Sequence, residues 1–430
     1  MTYEESIAYL YAKAPMFQQV GRAAYKEGLD NIIAFCEALG NPQNQFKSIH
    51  IAGTNGKGSS SHFIAAILQA AGYRVGLYTS PHLKSFTERI RVNGQAVEQS
   101  FVTQFIVTNQ SLFESIEPSF FEVTTAMAFS YFAHQQVDVA VVEVGMGGRL
   151  DATNIITPEI ALITNISYDH QEYLGDTLAL IAQEKAGIIK PGVPVVISEK
   201  HPETQAVFLQ KAQANQAPIT FAADQWEVVA LQKTPSLIVN VLNRQKQVYL
   251  ENQIVGLSGL YQLKNLRGVL CAIDILQQQG WNIALSHIQQ GLQEVIALTN
   301  LKGRWQVLSH QPLVVCDIAH NEGGLKEIIA QIQAQTYAKL WIVWGMMRDK
   351  DAAKIFPLLP QQAYYFFAAP AMPRALPADE LANLAKNYGL LGEVCESVAS
   401  ALAKAKQAAQ ADDMIYVGGS TFVVAEIPEL

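Results

Sequence analysis

Short apolar runs alternate with longer amphipathic stretches through the first half of the chain. Residues 46–52, 73–79, 137–144, 160–166 and 193–198 read as strands, and 59–71, 100–117, 121–135 and 178–189 as helices. The strand runs are apolar at nearly every position. That marks strands buried on both faces, hence a mostly parallel sheet covered by helices on each side. From 226 to 255 the helical signal gives way to alternating Val, Ile and Tyr, which predicts a few antiparallel strands. A helix over 260–279 follows, opened by the turn-like Gly256-Leu257-Ser258-Gly259. The stretch Leu298-Thr299-Asn300-Leu301-Lys302-Gly303 interrupts the pattern. After it the alternation restarts, with strands at 313–317, 340–345, 363–368 and 414–417 and helices at 324–334, 378–387 and 398–409. Two α/β domains are expected, 1–297 and a smaller one over 298–430.

Composition narrows the class. Of 430 residues, 50% are hydrophobic and 16% charged, the balance of a globular protein with sizeable cores. Thirty basic against 38 acidic side chains leave a net charge of −8, which excludes a generally basic nucleic-acid binder. The longest strongly apolar stretch, about 340–347, is far too short to span a bilayer, and the first ten residues carry Glu4 and Glu5 without an apolar run. The four cysteines, Cys36, Cys271, Cys316 and Cys395, are scattered without a CxxC pair and read as buried thiols. A cytoplasmic protein with neither membrane nor nucleic-acid partners is expected.

The sharpest chemistry lies at Gly53-Thr54-Asn55-Gly56-Lys57-Gly58-Ser59, between an apolar strand and a helix. Glycines there let successive backbone N–H groups turn toward one anion at the positive end of the helix. Lys57 adds charge for outer phosphates, and a hydroxyl can serve a phosphate or a metal. The string departs from G-x-x-x-x-G-K-[ST]: its first two glycines are three residues apart, and Gly58 separates Lys57 from Ser59. A tight glycine turn with an incidental lysine is the bland alternative. Three glycines, a lysine and hydroxyls in a strand–helix setting favour an ATP site.

This string resembles the phosphate loop of the folylpolyglutamate synthase/dihydrofolate synthase family, relatives of the Mur peptidoglycan ligases. Further matches follow in order along the chain: Thr79-Ser80-Pro81-His82-Leu83, the run from Glu143 through Gly147-Gly148-Arg149 to Asp151 and Asn154, Asp169-His170, and Glu184-Lys185-Ala186-Gly187. Gly303-Arg304, Asp317-Ile318-Ala319-His320-Asn321 and Gly419-Ser420 complete the set. The resemblance implies an N-terminal P-loop ATPase-like domain and a C-terminal Rossmann-like domain around a cleft.

Within that frame Ser80, Glu143 and His170 lie at or just after predicted strand ends, where a parallel sheet gathers its ligands. Oxygen donors suit Mg²⁺, whereas histidine is an unusual ligand for it. Read alone, His170 is a loop histidine, and Glu143 is either a metal ligand or a buried acid paired with Arg149. The resemblance instead implies that Ser80, Glu143 and His170 hold two magnesium ions. Lys185 reads alone as a helix-surface lysine. A lysine cation about 4 Å from a divalent ion, at an effective dielectric near 20, would be repelled by some 8 kcal/mol. The resemblance implies N6-carboxylysine there, which removes the conflict.

The resemblance also assigns Asn265, Arg304 and Asp317 to the nucleotide alongside the phosphate loop. It assigns His320 and Ser420 to the incoming glutamate, and Phe121 and Asp151 to the pteroate pocket. Phe121 serves equally as a ring to stack on a flat substrate or as a core side chain. Arg89 and Arg91 read either as partners of a substrate carboxylate or as solvated loop charges. Ile318, Lys302 and Thr421 depart from residues common in the family, and none removes a charge. The implied activity is an ATP-dependent amide ligase that joins L-glutamate to dihydropteroate or reduced folate, acting as a monomer. Two rivals stand beside it. A Mur-type ligase usually carries a UDP-binding domain before the loop, but only 52 residues, mainly helical in pattern, precede Gly53. A P-loop ATPase module would hydrolyse ATP without glutamate dependence.

Overall fold

A computed structural model describes residues 1–14 and 28–430. By its contacts the chain divides into two compact units, Met1–Gln232 with Ser236–Gly256 and Gln262–Asn300, and Lys233–Pro235 with Leu257–Tyr261 and Leu301–Leu430.

The first unit is built on an eight-stranded sheet: β1 (Lys47–Ala52), β2 (Val75–Tyr78), β3 (Ile90–Val92), β4 (Gln95–Ala96), β5 (Val139–Glu143), β6 (Ile160–Ile163), β7 (Val195–Ile197) and β8 (Ile219–Phe221), in the order β4-β3-β2-β5-β1-β6-β7-β8. From β2 to β8 neighbours run parallel, while β3 and β4 extend one edge antiparallel. β1 is central, with β5 on one side and β6 on the other, so the chain leaves it in opposite directions. Such a switch point opens a crevice at the carboxyl ends of the strands. The continuous apolar runs follow from burial on both faces: β2, β5, β6 and β7 are buried at every position. One face packs on the helix Phe120–His134, with Phe129, Phe132 and Met127 in its core, and another core lies beneath Leu178–Ala186. The N-terminal segment adds the helices Tyr3–Lys13 and Asp30–Ala38; residues 15–27 of the helical reading lie outside the described residues.

A three-stranded antiparallel sheet, β9 (Glu227–Gln232), β10 (Leu237–Leu242) and β11 (Val248–Val255), carries the alternating segment as the pattern predicts. Gln262–Gln278 and Leu285–Gln293 pass beside the phosphate-loop helix Lys57–Ala70.

The second unit has a six-stranded sheet: β12 (Gln306–His310), β13 (Leu313–Cys316), β14 (Leu340–Trp344), β15 (Tyr364–Phe367), β16 (Leu391–Val394) and β17 (Met414–Gly418), ordered β12-β13-β17-β14-β15-β16 and parallel except for β12. Trp305, Trp344, Tyr365 and Tyr416 fill its core.

Several elements differ from the sequence reading. The helix expected over 100–117 is two, Gln99–Thr108 and Gln110–Ile116, broken at Asn109, whose Nδ2 donates to Phe105 O at 2.7 Å. A side chain that competes for helix carbonyls in this way weakens the ladder locally. Strands β3, β4, β8, β12 and β16 and the helix Pro202–Ala214 were not expected. Four of these strands, β4, β8, β12 and β16, sit at sheet edges, where polar or partly exposed residues blur the apolar signal, and β3 is only three residues long.

Candidate functional site

The phosphate loop leaves β1 at the switch point. Gly53 and Gly56 take φ of 145° and 85°, values that side chains rarely adopt. A Cβ on Gly53 would run into Thr164 Oγ1, and one on Gly56 into Asn265 Oδ1. The segment after β6 holds the loop's shape. Thr54 N donates to Asn165 O at 2.8 Å, Asn55 N to Asn165 Oδ1 at 3.1 Å, and Thr164 Oγ1 to Asn55 O at 2.6 Å. Thr54 Oγ1 reaches Ser167 O at 3.1 Å. The helix Lys57–Ala70 begins at Gly56, and no side chain caps it. Its first-turn amides, including that of Gly58, therefore remain to meet an anion. Lys57 Nζ folds back onto Gly53 O at 3.0 Å and Thr54 O at 3.1 Å.

Asn265 and Ser59 are tied together behind the loop. Gln262 Nε2 donates to Ser59 Oγ at 3.2 Å, and Asn265 Nδ2 donates to Gln262 Oε1 at 2.7 Å. Gln262 is fully buried, and no sequence signal beyond the neighbouring Asn265 singled it out.

Lys185 overturns the surface reading. It is 3% exposed, and its Nζ donates to Gly53 O at 3.0 Å, the same carbonyl that Lys57 uses. Burial first, and the Lys57 cation second, push its pKa down to about 7. Two lysines on one carbonyl resist both being charged.

Glu143 is the last residue of β5, paired in register with Ile51, and is buried. Ser80 lies two residues beyond β2, and its N–H donates to Glu143 Oε2 at 3.2 Å. Arg149 pairs with Glu184 at 3.0 Å, which replaces the Glu143–Arg149 pairing considered from sequence. His170 lies seven residues past β6, not just after it, in a left-handed conformation (φ 49°) that starts the short helix Gln171–Leu174. Among the described residues no three His, Cys, Asp or Glu side chains gather into a metal cage. Ser80 and Glu143, joined at the ends of β2 and β5, offer a hydroxyl and a carboxylate that fit a hard cation keeping water and phosphate oxygens as its remaining ligands, whereas His170 lies farther along the chain and brings a nitrogen donor that such a cation seldom takes.

Phe121 and Asp151 are brought together by one peptide. A Cβ on Gly145 would lie 2.5 Å from Phe121 Cζ, so the ring rests on Gly145, and the next amide, Met146 N, donates to Asp151 Oδ2 at 2.9 Å. Tyr78 packs on Phe121 with ring centroids 5.8 Å apart. Burial raises the Asp151 carboxyl, opposed by donors from Thr153, Met146 and Gly145. Arg89 and Arg91 are buried, which removes the solvated reading of both. Arg89 Nε donates to His82 Nδ1 at 2.8 Å and its guanidinium lies over the Phe120 ring; Arg91 bonds the Glu88 carbonyl.

In the second unit, Asp317 follows β13 and is buried. Its Oδ2 accepts from Tyr261 Oη and Trp305 N, both at 2.7 Å, and Oδ1 from Ala319 N at 2.8 Å. Arg304 lies close enough to help offset the burial that raises this carboxyl. β13 pairs with β17 in parallel, so the loops bearing His320 and Ser420 leave adjacent strands. His320 Nδ1 contacts Ile318 O at 3.1 Å, and Ser420 Oγ accepts from Val423 N at 3.1 Å.

Residues 51–273 match the Mur ligase middle domain and 303–421 the Mur ligase glutamate ligase domain. Folylpolyglutamate synthase of Lacticaseibacillus casei is 33% identical over 387 residues, 88% of either chain. The structure of E. coli FolC in complex with DHPP and ADP superposes with a TM-score of 0.85 at 29% identity, covering 99% of this chain and 96% of that one. A bifunctional folylpolyglutamate synthase/dihydrofolate synthase with Mn, AMPPNP and L-glutamate bound gives 0.84 at 30% identity, covering 99% and 97%. No helix among the described residues is long and apolar enough to cross a membrane.

Proposed function

The chain belongs to the folylpolyglutamate synthase/dihydrofolate synthase family of Mur ligases, and from that premise we propose that it joins L-glutamate to dihydropteroate and to folate polyglutamates, with ATP as co-substrate. The observation that carries the reading is the uncapped phosphate loop at the sheet's switch point, with Lys57 folded onto it and Lys185 beneath it.

The loop amides and Lys57 hold the triphosphate in place, where fixed donors stabilise charge that develops on the transferring phosphoryl group. A carboxylate oxygen of the pteroate or folate attacks the γ-phosphorus, ADP leaves, and an acyl phosphate forms. The α-amine of glutamate then attacks the acyl carbon, phosphate departs, and the amine gives up a proton. Ser80, Glu143 and His170 would hold divalent magnesium, two ions in the fuller reading, which when bound supplies charge neutralisation at the phosphates. Phe121 offers a face to the flat ring, and Asp151 accepts from its donor edge. Asn265, Arg304 and Asp317 serve the nucleotide, and His320 and Ser420 the glutamate.

Lys185 is suited to carbamoylation. Its neutral amine adds to CO₂ and releases a proton, leaving N6-carboxylysine, and a pKa near 7 puts much of the amine in that reactive form at neutral pH. The resulting carboxylate would face Lys57. The protein acts as a cytoplasmic monomer with small-molecule partners only.

The test is mass spectrometry of products formed with ATP, Mg²⁺ and L-glutamate, with dihydropteroate in one tube and tetrahydrofolate in another. One glutamate added to the first and further additions to the second are expected. Addition in one tube alone reduces the function to that activity. ATP hydrolysis without addition in either sinks the assignment.

A further inference from the structure

β1 holds one imidazole at the centre of the sheet. His50 is fully buried, flanked by Ile49 and Ile51, with Nδ1 unpartnered among the described residues. A buried polar atom without a partner costs stability, and an apolar side chain would satisfy the strand without that cost. The second nitrogen supplies the reason for an imidazole here. Nε2 lies 2.8 Å from Thr153 Oγ1. Thr153 in turn donates to Asp151 Oδ1 twice, through its hydroxyl at 2.5 Å and its N–H at 3.0 Å.

With the hydroxyl proton committed to the carboxylate, Thr153 Oγ1 is left as an acceptor. That places the imidazole proton on Nε2 and completes a one-way relay, His50 to Thr153 to Asp151. Burial pushes the His50 pKa down to about 3, so the ring stays neutral and the relay does not reverse across the working pH range. On the other side Met146 N holds Oδ2. The carboxylate is thus gripped from both ends, next to the Phe121 ring.

We propose that His50 is a positioning residue, which through Thr153 holds the Asp151 carboxylate in the orientation that accepts hydrogen bonds from the flat heterocycle of the substrate. The inference rests on the assignment of Asp151 to the pteroate pocket. Without the Nε2 donor, the Thr153 hydroxyl is free to turn to other acceptors and Asp151 loses a fixed partner, so the ring is read less selectively while phosphate chemistry is untouched.

The test compares His50→Met, close in size but without a donor, with His50→Gln, which returns an N–H at similar reach. Thr153→Val and Asp151→Asn accompany them, and Thr153→Val decides the matter if His50→Met does not fold. Steady-state kinetics are measured with dihydropteroate, ATP and glutamate varied in turn. We expect His50→Met and Thr153→Val to raise KM for dihydropteroate about tenfold with KM for ATP within twofold, and His50→Gln to recover most of the loss. A general structural role would move both KM values together and would not be rescued by glutamine; that result overturns the proposal. If Asp151→Asn raises KM for dihydropteroate and the His50 and Thr153 variants do not, the relay fails and the pocket assignment stands. If Asp151→Asn leaves that KM unchanged, the pocket assignment fails and the relay with it.

Discussion

Lys185 shows how far one residue's meaning depends on burial. The pair Glu184-Lys185 looks like a charged helix surface, yet only Glu184 behaves so, in its ion pair with Arg149. The lysine is buried on the Gly53 carbonyl with a pKa near 7, against an ordinary value of 10.5. Below pH 7 it is protonated folded and unfolded alike, and the folded state bears the whole cost of the buried charge. Between about 7 and 10.5 the unfolded chain binds the extra proton, so stability rises with pH through that window. In CO₂-free buffer, Lys185→Met should therefore be more stable than the parent at pH 6, by a margin on the order of 5 kcal/mol, and the margin should shrink toward pH 10. Urea melts at several pH values check this; a margin constant in pH refutes it. Lys57 reaches the same Gly53 carbonyl from the loop itself, and the proposed function makes it the donor to the phosphates. Lys57→Ala should lower kcat by about 10²–10³ while leaving KM for the pteroate substrate near its starting value, as expected when a transition-state donor is lost.

At the scale of elements, the phosphate-loop helix is held by close backbone approach as well as by apolar contacts. Gly291 in the helix Leu285–Gln293 lies against Ile67 of Lys57–Ala70 so closely that an added Cβ would meet Ile67 backbone atoms. Backbone cannot step aside as a flexible side chain can. Gly291→Ala should cost about 1–3 kcal/mol in chemical denaturation and raise KM for ATP as the loop helix shifts. An unchanged unfolding midpoint would show that the helix pair has slack. The same scale explains the missed elements. Asn109 breaks a run whose apolar period continues through it, because its side chain takes the Phe105 carbonyl. Edge strands β8, β12 and β16 carry too little two-sided burial to write a strong pattern.

Over the whole molecule, Ser80, Glu143 and His170 do not make a closed metal cage, and among the described residues no acidic or histidine cluster does. A cation that these three residues held would be shared with substrate phosphates and would exchange readily. Removal of divalent metal by a chelator should abolish glutamate addition, and excess Mg²⁺ should restore it without refolding, with far-UV circular dichroism unchanged throughout. Loss of the fold on chelation would instead mark a structural ion.

What the sequence alone determined was local or linear. Apolar runs buried on both faces announced parallel strands, and the spacing of Gly53, Gly56 and Lys57 between strand and helix announced the anion loop. Both signals are legible because strand burial and backbone turns impose residue types on neighbours in the chain. The relations across the chain needed the tertiary structure. Gly53 is bounded by Thr164, Gly56 by Asn265, and Phe121 by Gly145, and His50 reaches Thr153 over 103 residues. Contacts of that kind carry no period in the sequence. The charge state of Lys185, the burial of Arg89 and the partner of Arg149 follow from which groups packing places beside them, and only the folded chain decides that.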